Sequence, residues 1–179
     1  MMVYTHTDIG HKRSENQDST GVAVLDGAVF AVVCDGMGGS NAGSEASSRA
    51  VSVITERIQK SYRSDYDDNK IRNLLVAAVK TANAVIYDLA SAVPEWRGMG
   101  TTCVAAIARG DMLNTVNVGD SRGYLITHQI SQITKDHSMV MNLYERGDIP
   151  KEQLKNPPKK TIYTRAEGVA QDREPAELE

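Results

Sequence analysis

Three aspartates stand where predicted strands begin or end: Asp18, Asp35 and Asp120, the last within Asn117-Val118-Gly119-Asp120-Ser121-Arg122. Carboxylates gathered at one sheet edge repel one another unless cations lie between them. A set of hard oxygen ligands without His or Cys favours Mg²⁺ or Mn²⁺ over Zn²⁺. A carboxylate bridging two such ions, about 4 Å apart, can hold a water of strongly lowered pKa between them. That makes a nucleophile at neutral pH without a catalytic serine or cysteine. Arg13, shortly before Asp18, adds a planar, permanently charged donor suited to a phosphate monoester. Taken singly, each aspartate also reads as an ordinary turn or cap residue. What matters is whether the chain brings them together.

For two of them, Asp18 and Asp35, the local pattern says that it does. Val22-Ala23-Val24-Leu25 and Ala28-Val29-Phe30-Ala31-Val32-Val33-Cys34 are β-type apolar runs separated by Asp26-Gly27, a strong hairpin signal. Strand, turn and strand put Asp18 at the start of one strand and Asp35 at the end of its antiparallel neighbour. The two carboxylates therefore fall at the same edge of one sheet. After Asp35 come three glycines within four residues, Gly36, Gly38 and Gly39, and then a Ser/Ala/Glu-rich stretch of helical character.

A helix is expected from Ser44 to about Ser61, with Ala46, Ala50, Ile54 and Ile58 on one face. A second is expected from about Asn69 to Ala92, where Ile71, Leu74, Leu75, Ala78, Val79, Ala82, Val85, Ile86 and Leu89 keep the helical period. Asp67, Asp68 and Asn69 supply its N-cap candidates, and Pro94 ends it. Strands return at Thr101–Ala108 and Met112–Val118 around Arg109-Gly110-Asp111. Shorter ones are expected at Tyr124–Ile126 and Ile130–Ile133, then a short helix over Met139–Arg146. This order predicts helices covering an antiparallel sheet, with a second sheet behind it.

The bulk properties set limits. A chain of 179 residues, 41% hydrophobic and 24% charged, suffices for one domain with a core. With a net charge of −3 and no basic block, nothing points to nucleic acid. The N-terminus lacks the apolar segment of a secretory signal, and no uninterrupted apolar run approaches membrane-spanning length. The expectation is a cytoplasmic protein without membrane or nucleic-acid partners, in which Cys34 and Cys103 serve as small buried hydrophobes.

With these motifs in order the chain resembles the metal-dependent PP2C-like (PPM) protein phosphatases of the bacterial type. The resemblance rests on Asp8-Ile9-Gly10 with Arg13-Ser14-Glu15-Asn16-Gln17-Asp18, and on Asp35-Gly36-Met37-Gly38-Gly39 with Gly43-Ser44-Glu45-Ala46-Ser47. It continues through Gly100-Thr101-Thr102, Val118-Gly119-Asp120-Ser121-Arg122, Thr134-Lys135-Asp136-His137-Ser138 and Thr164-Arg165-Ala166. It implies one PP2C-like domain over residues 1–179, an α+β four-layer α-β-β-α sandwich of two antiparallel sheets flanked by helices. It implies serine/threonine phosphatase activity with two, or three, Mn²⁺ or Mg²⁺ ions. Phosphoserine or phosphothreonine proteins would be substrates, and a serine/threonine kinase a cognate partner.

Carried over by position, Asp35 is similar to the carboxylate that bridges two metals, and Gly36 to the residue whose carbonyl joins one of them. Asp18 resembles a ligand of that same ion, Asp120 the holder of a third, weaker ion, and Arg13 the phosphate-binding arginine. Asp136 and His137 would steady the site from behind, and residues 138–160 correspond to the flap beside it. The eukaryotic branch has a His after the Asp-Gly pair as proposed general acid; Met37 stands here, as in bacterial members.

The chain also departs from the pattern. Asn156-Pro157 stands where a His-Pro pair is common, and Glu167 where an apolar residue is usual. The family's closing strands and helix, with an Asp-Gly and an Asp-Asn element that complete the metal site, are not reached by Glu179. The expectation is an incomplete domain that binds metal weakly, turns over poorly by itself and leaves a sheet edge and apolar surface uncovered. Two alternatives stay open: a catalytically inactive phosphoprotein-binding module, and a two-metal hydrolase of small phosphate esters.

Overall fold

Asp26-Gly27 makes the first hairpin as its chemistry dictates, with Gly27 at φ +71°, joining β1 (Asp18–Leu25) to β2 (Ala28–Met37). This computed structural model describes residues 1–39 and 41–150, together with Ala166 and Gly168. After β2 come two long helices, α1 (Ala42–Ser61) and α2 (Asp68–Ala92), and a single 3₁₀ turn at Pro94–Trp96. The chain then returns to strands β3 (Gly100–Thr101), β4 (Cys103–Arg109) and β5 (Met112–Val118). A small hairpin of β6 (Tyr124–Ile126) and β7 (Ile130–Gln132) follows, then a short helix α3 (Met139–Glu145).

The larger sheet has the order β1-β2-β4-β5, all antiparallel, with β3 continuing the β4 side of β2; β6 and β7 form a separate two-stranded sheet. The α+β class, the two antiparallel sheets and the helical cover agree with the sequence reading. The element ends differ by a residue or two, with one informative exception. Thr101–Ala108, expected as one strand, is interrupted at Thr102, whose hydroxyl takes over a ladder bond described below.

The two faces of β2 have opposite fates. Ala28, Phe30, Val32 and Cys34 alternate onto the buried face. There they meet Ala46, Ala50, Ile54 and Ile58 of α1, and α2 adds Ile71, Leu75, Val79 and Ile86 to the same core. α1 lies close because β1 has Gly21 beneath it: a Cβ there would come within 2.7 Å of Val51 Cγ1. α2 is capped as expected, Asp67 Oδ1 accepting from Lys70 N at 2.8 Å. By length and composition α2 could also cross a bilayer. Here its apolar stripe is buried in the core beneath α1 and the sheet.

On the opposite face Val22, Val24, Val33 and Leu113 are exposed, as are Tyr124, Leu125, Ile126 and Ile130 of the small hairpin. Cys34 and Cys103 are not joined in a disulfide, and both are fully buried. The expected flap lies partly outside the described residues, since positions 151–160 are not among them; Asn156-Pro157, Glu167 and Thr164-Arg165 fall outside too. Ala166 is buried, and Gly168 N donates to Asn83 Oδ1 of α2 at 2.6 Å.

Candidate metal and phosphate site

Because β1 and β2 are joined by a tight turn, their far ends must coincide, and Asp18 is the direct register partner of Asp35. The row continues across the sheet. Asp35 O accepts from Thr102 N and Asp35 N donates to the Thr102 hydroxyl, and beside Thr102 sits Gly119, the residue before Asp120. All three aspartates singled out in the sequence thus stand along one rim, contributed by β1, β2 and the turn after β5.

Electrostatics record the proximity. Burial among strand-end atoms, then the charge of Asp18, a hydrogen bond with the Asp18 carboxyl and the charge of Asp120 push the Asp35 carboxyl up to about 6, while Arg13 opposes them. Asp35 still reaches solvent, so its burial is only partial, and the like charges are the specific part of the effect. Burial, with the charge of Asp136, also raises the Asp120 carboxyl; its own backbone and Arg122 pull the other way. Two carboxylates held this close repel each other, so a cation shared between them would stabilise the charged pair.

The strand end itself is clamped from both sides. Gly36 N donates to Gln17 O at 3.0 Å, and Ser47 Oγ of α1 donates to the same carbonyl at 2.7 Å. Gly36 packs directly on Gly43 of α1: a Cβ on Gly36 would lie 1.9 Å from the Gly43 carbonyl oxygen. The segment carrying Arg13 is held at the start of α1 by Glu15, which accepts from Ser44 Oγ at 2.5 Å and from Asn41 N at 3.2 Å. Asn41 is at φ +63° and makes no side-chain cap of its own, so Glu15 supplies the negative group that the helix N-terminus favours. The hydrogen bond from Ser44 is the main reason the Glu15 carboxyl lies below its usual range.

Arg13 borders two adjoining clefts. One, of about 250 Å³, is lined by Arg13, Gln17, Asp35, Gly36, Met37, Gly38 and Thr102; the other, of about 580 Å³, by Lys12, Arg13, Ser14, Glu15, Gln17 and Asn41. The first brings Arg13 and Asp35 to the lining of one cleft, large enough for a phosphate group. Met37, which has no proton to give, lines it where a general acid could have stood.

Asp136 and His137 lie on the Asp120 side of the rim. Asp136 is buried and accepts a forked bond from Arg122, Nε at 2.9 and 3.0 Å and Nη2 at 2.5 Å, plus one from Gln132 Nε2 at 3.1 Å. That hydrogen-bonded pair raises the Arg122 guanidinium further above its ordinary value. His137 holds Gly119 by two bonds, Gly119 N donating to its Nδ1 at 3.1 Å and His137 N donating to Gly119 O at 2.8 Å. Both residues therefore brace the turn that bears Asp120.

Every donor at the rim is oxygen, the chemistry that suits Mg²⁺ or Mn²⁺. In kind the set fits; in number it is short, since among the described residues no three His, Cys, Asp or Glu side chains converge on one point. Glu15, Ser47, Thr102 and Ser121 were not singled out as site residues by sequence reasoning. Their roles run through backbone partners distant in the chain, which spacing cannot display; the small residues Gly43, Ser44 and Ser47 at the start of a helix were the one available signal.

Fold and site together define an α+β protein with an acidic, oxygen-ligand rim facing an arginine. The chain belongs to the protein phosphatase 2C family, whose profile matches residues 8–142. It is 39% identical over 165 residues to the serine/threonine phosphatase stp of Listeria monocytogenes, covering 91% of this chain and 65% of that one. The crystal structure of the serine/threonine phosphatase Stp1 from Staphylococcus aureus superimposes with a TM-score of 0.86 at 34% identity, over 97% of this chain and 67% of that one. The catalytic domain of PstP, solved in complex with 2 manganese ions, gives a TM-score of 0.77 at 31% identity, covering 97% and 69%. The chain thus spans about two thirds of the length of these relatives.

Proposed function

We propose that these residues form the phosphate-binding part and the first part of the metal site of a protein serine/threonine phosphatase using two, or three, Mn²⁺ or Mg²⁺ ions. The observation that carries the reading is the register pairing of Asp18 with Asp35 at the mouth of the Arg13 cleft. Divalent ions bound there supply Lewis acidity and a water of low pKa. Asp35, with Asp18 and the Gly36 carbonyl, would hold the ions at the rim. Asp120, on the turn braced by His137 and Asp136, would hold a third. Arg13 binds the non-reacting phosphoryl oxygens and turns the ester so that its leaving oxygen points away from the rim. With Met37 in the cleft, the proton for the leaving oxygen comes from another group.

The relatives' names support phosphoserine and phosphothreonine proteins as the substrate class. We extend this to a serine/threonine kinase as the opposing enzyme, and to action in the cytoplasm, away from membranes and nucleic acid. The test is phosphate release from a phosphothreonine peptide by residues 1–179, with and without Mn²⁺. We expect Mn²⁺-dependent release, slow for residues 1–179, lost in Asp35→Ala and weakened through KM in Arg13→Ala. Release that ignores both Mn²⁺ and Asp35 would overturn the reading. The small count of converging ligands among the described residues favours one second reading, a phosphoprotein-binding module without turnover; it predicts peptide binding with no release.

A further inference from the structure

Thr102 lies between the two acidic groups of the rim, and its bonds are not those of an ordinary strand residue. Its N–H donates to Asp35 O at 2.9 Å, as a ladder residue should. The return bond is different: Asp35 N donates to Thr102 Oγ1 at 2.9 Å rather than to the Thr102 carbonyl. That carbonyl lies 3.0 Å from Thr101 Oγ1, which also lies 3.0 Å from Asp35 O. The same Thr102 hydroxyl is 2.6 Å from Ser121 Oγ, in the turn next to Asp120. Thr101 and Thr102 are both buried, and the Thr102 methyl packs where a Cβ on Gly119 would otherwise stand.

We infer that the Thr102 hydroxyl is a positioning group that sets the Asp35 main chain and ties it to the Asp120 turn, so that both carboxylates face one site. This rests on the metal reading above for its consequence, but not for its geometry. A hydroxyl can accept from the Asp35 amide and still exchange one bond with Ser121, so a single atom links strand β2 to the turn after β5. A valine of the same shape keeps the packing and the Thr102 N–H but leaves the Asp35 amide without an acceptor. A serine keeps the hydroxyl and gives up only the methyl.

The experiment compares wild type, Thr102→Val and Thr102→Ser by Mn²⁺ calorimetry and by hydrogen exchange at the Asp35 amide in the metal-free protein. We expect Thr102→Val to bind Mn²⁺ about tenfold more weakly, the usual size of a lost supporting contact behind a ligand, and its Asp35 amide to exchange faster. Thr102→Ser should stay within about twofold of wild type and keep the amide protected. Unchanged Mn²⁺ affinity and protection in Thr102→Val, or a loss in Thr102→Ser as large as in the valine variant, overturns the inference. Should Thr102→Val not fold, rapid exchange of the Asp35 amide in folded wild type or Thr102→Ser overturns it equally. If wild type itself takes up no Mn²⁺, the metal reading fails, and the exchange comparison alone decides the role of Thr102.

Discussion

A carboxylate that faces another across two strands is sensitive to protons in a way that a solitary surface aspartate is not. In the metal-free protein the Asp35 carboxyl titrates near 6, against a reference of 3.8. A raised folded-state value means that the native protein holds the proton more tightly. This contribution to stability is full below about 4 and is lost as the pH rises through 6. Metal-free wild type should therefore gain less stability from pH 5 to 7.5 than Asp35→Asn does, and the difference between their melting temperatures reads it directly. The same proton competes with a cation, so Mn²⁺ affinity should fall by up to about tenfold per pH unit below 6. Affinity that stays flat between pH 5 and 7 would count against Asp35 as a ligand. Asp18 and Asp35 were legible in the sequence because a two-residue hairpin fixes which strand ends coincide. Asp120 was legible only as a strand-end acid, since its place depends on β4 and β5 returning to the same rim.

At the scale of elements, the site depends on how closely α1 approaches the ends of β1 and β2. Gly36 and Gly43 meet backbone to backbone, so Gly36→Ala has no side chain to displace and should cost about 3 kcal/mol of stability, read by urea denaturation. Ile54→Ala, in the middle of α1 and fully buried, should cost about 2–5 kcal/mol. It lies away from the rim and should leave Mn²⁺ affinity per folded molecule unchanged. Both helices could be read from the apolar period, and the two main hairpins from Asp-Gly and Gly-Asp turns. The break at Thr102 could not, because a threonine that swaps hydroxyl for carbonyl looks like any β-branched strand residue. Nor does spacing display the bonds by which Asp136 holds Arg122 and His137 holds Gly119 beside Asp120.

For the whole molecule, the larger sheet packs its helix-side face and exposes apolar residues on the other, Val24 at 83%, while the separate small hairpin exposes Ile126 at 71% and Ile130 at 69%. An apolar surface of this kind favours association. Sedimentation of residues 1–179 should show mass rising with concentration, reduced in Val24→Lys with Ile126→Lys; a monomer at all concentrations would show that the face is covered. The α+β class was legible because the order of strands and helices limits how layers can stack. How that exposed face is covered depends on long-range packing that no local pattern displays.

The most direct measurement is a Mn²⁺ titration by calorimetry at pH 7.5 on wild type, Asp18→Asn and Asp35→Ala. Wild type should bind, and each variant should lose more than about tenfold in affinity, since even supporting residues behind a metal ligand cost that much. Equal binding by all three proteins, or none by wild type, would contradict a shared cation at the rim.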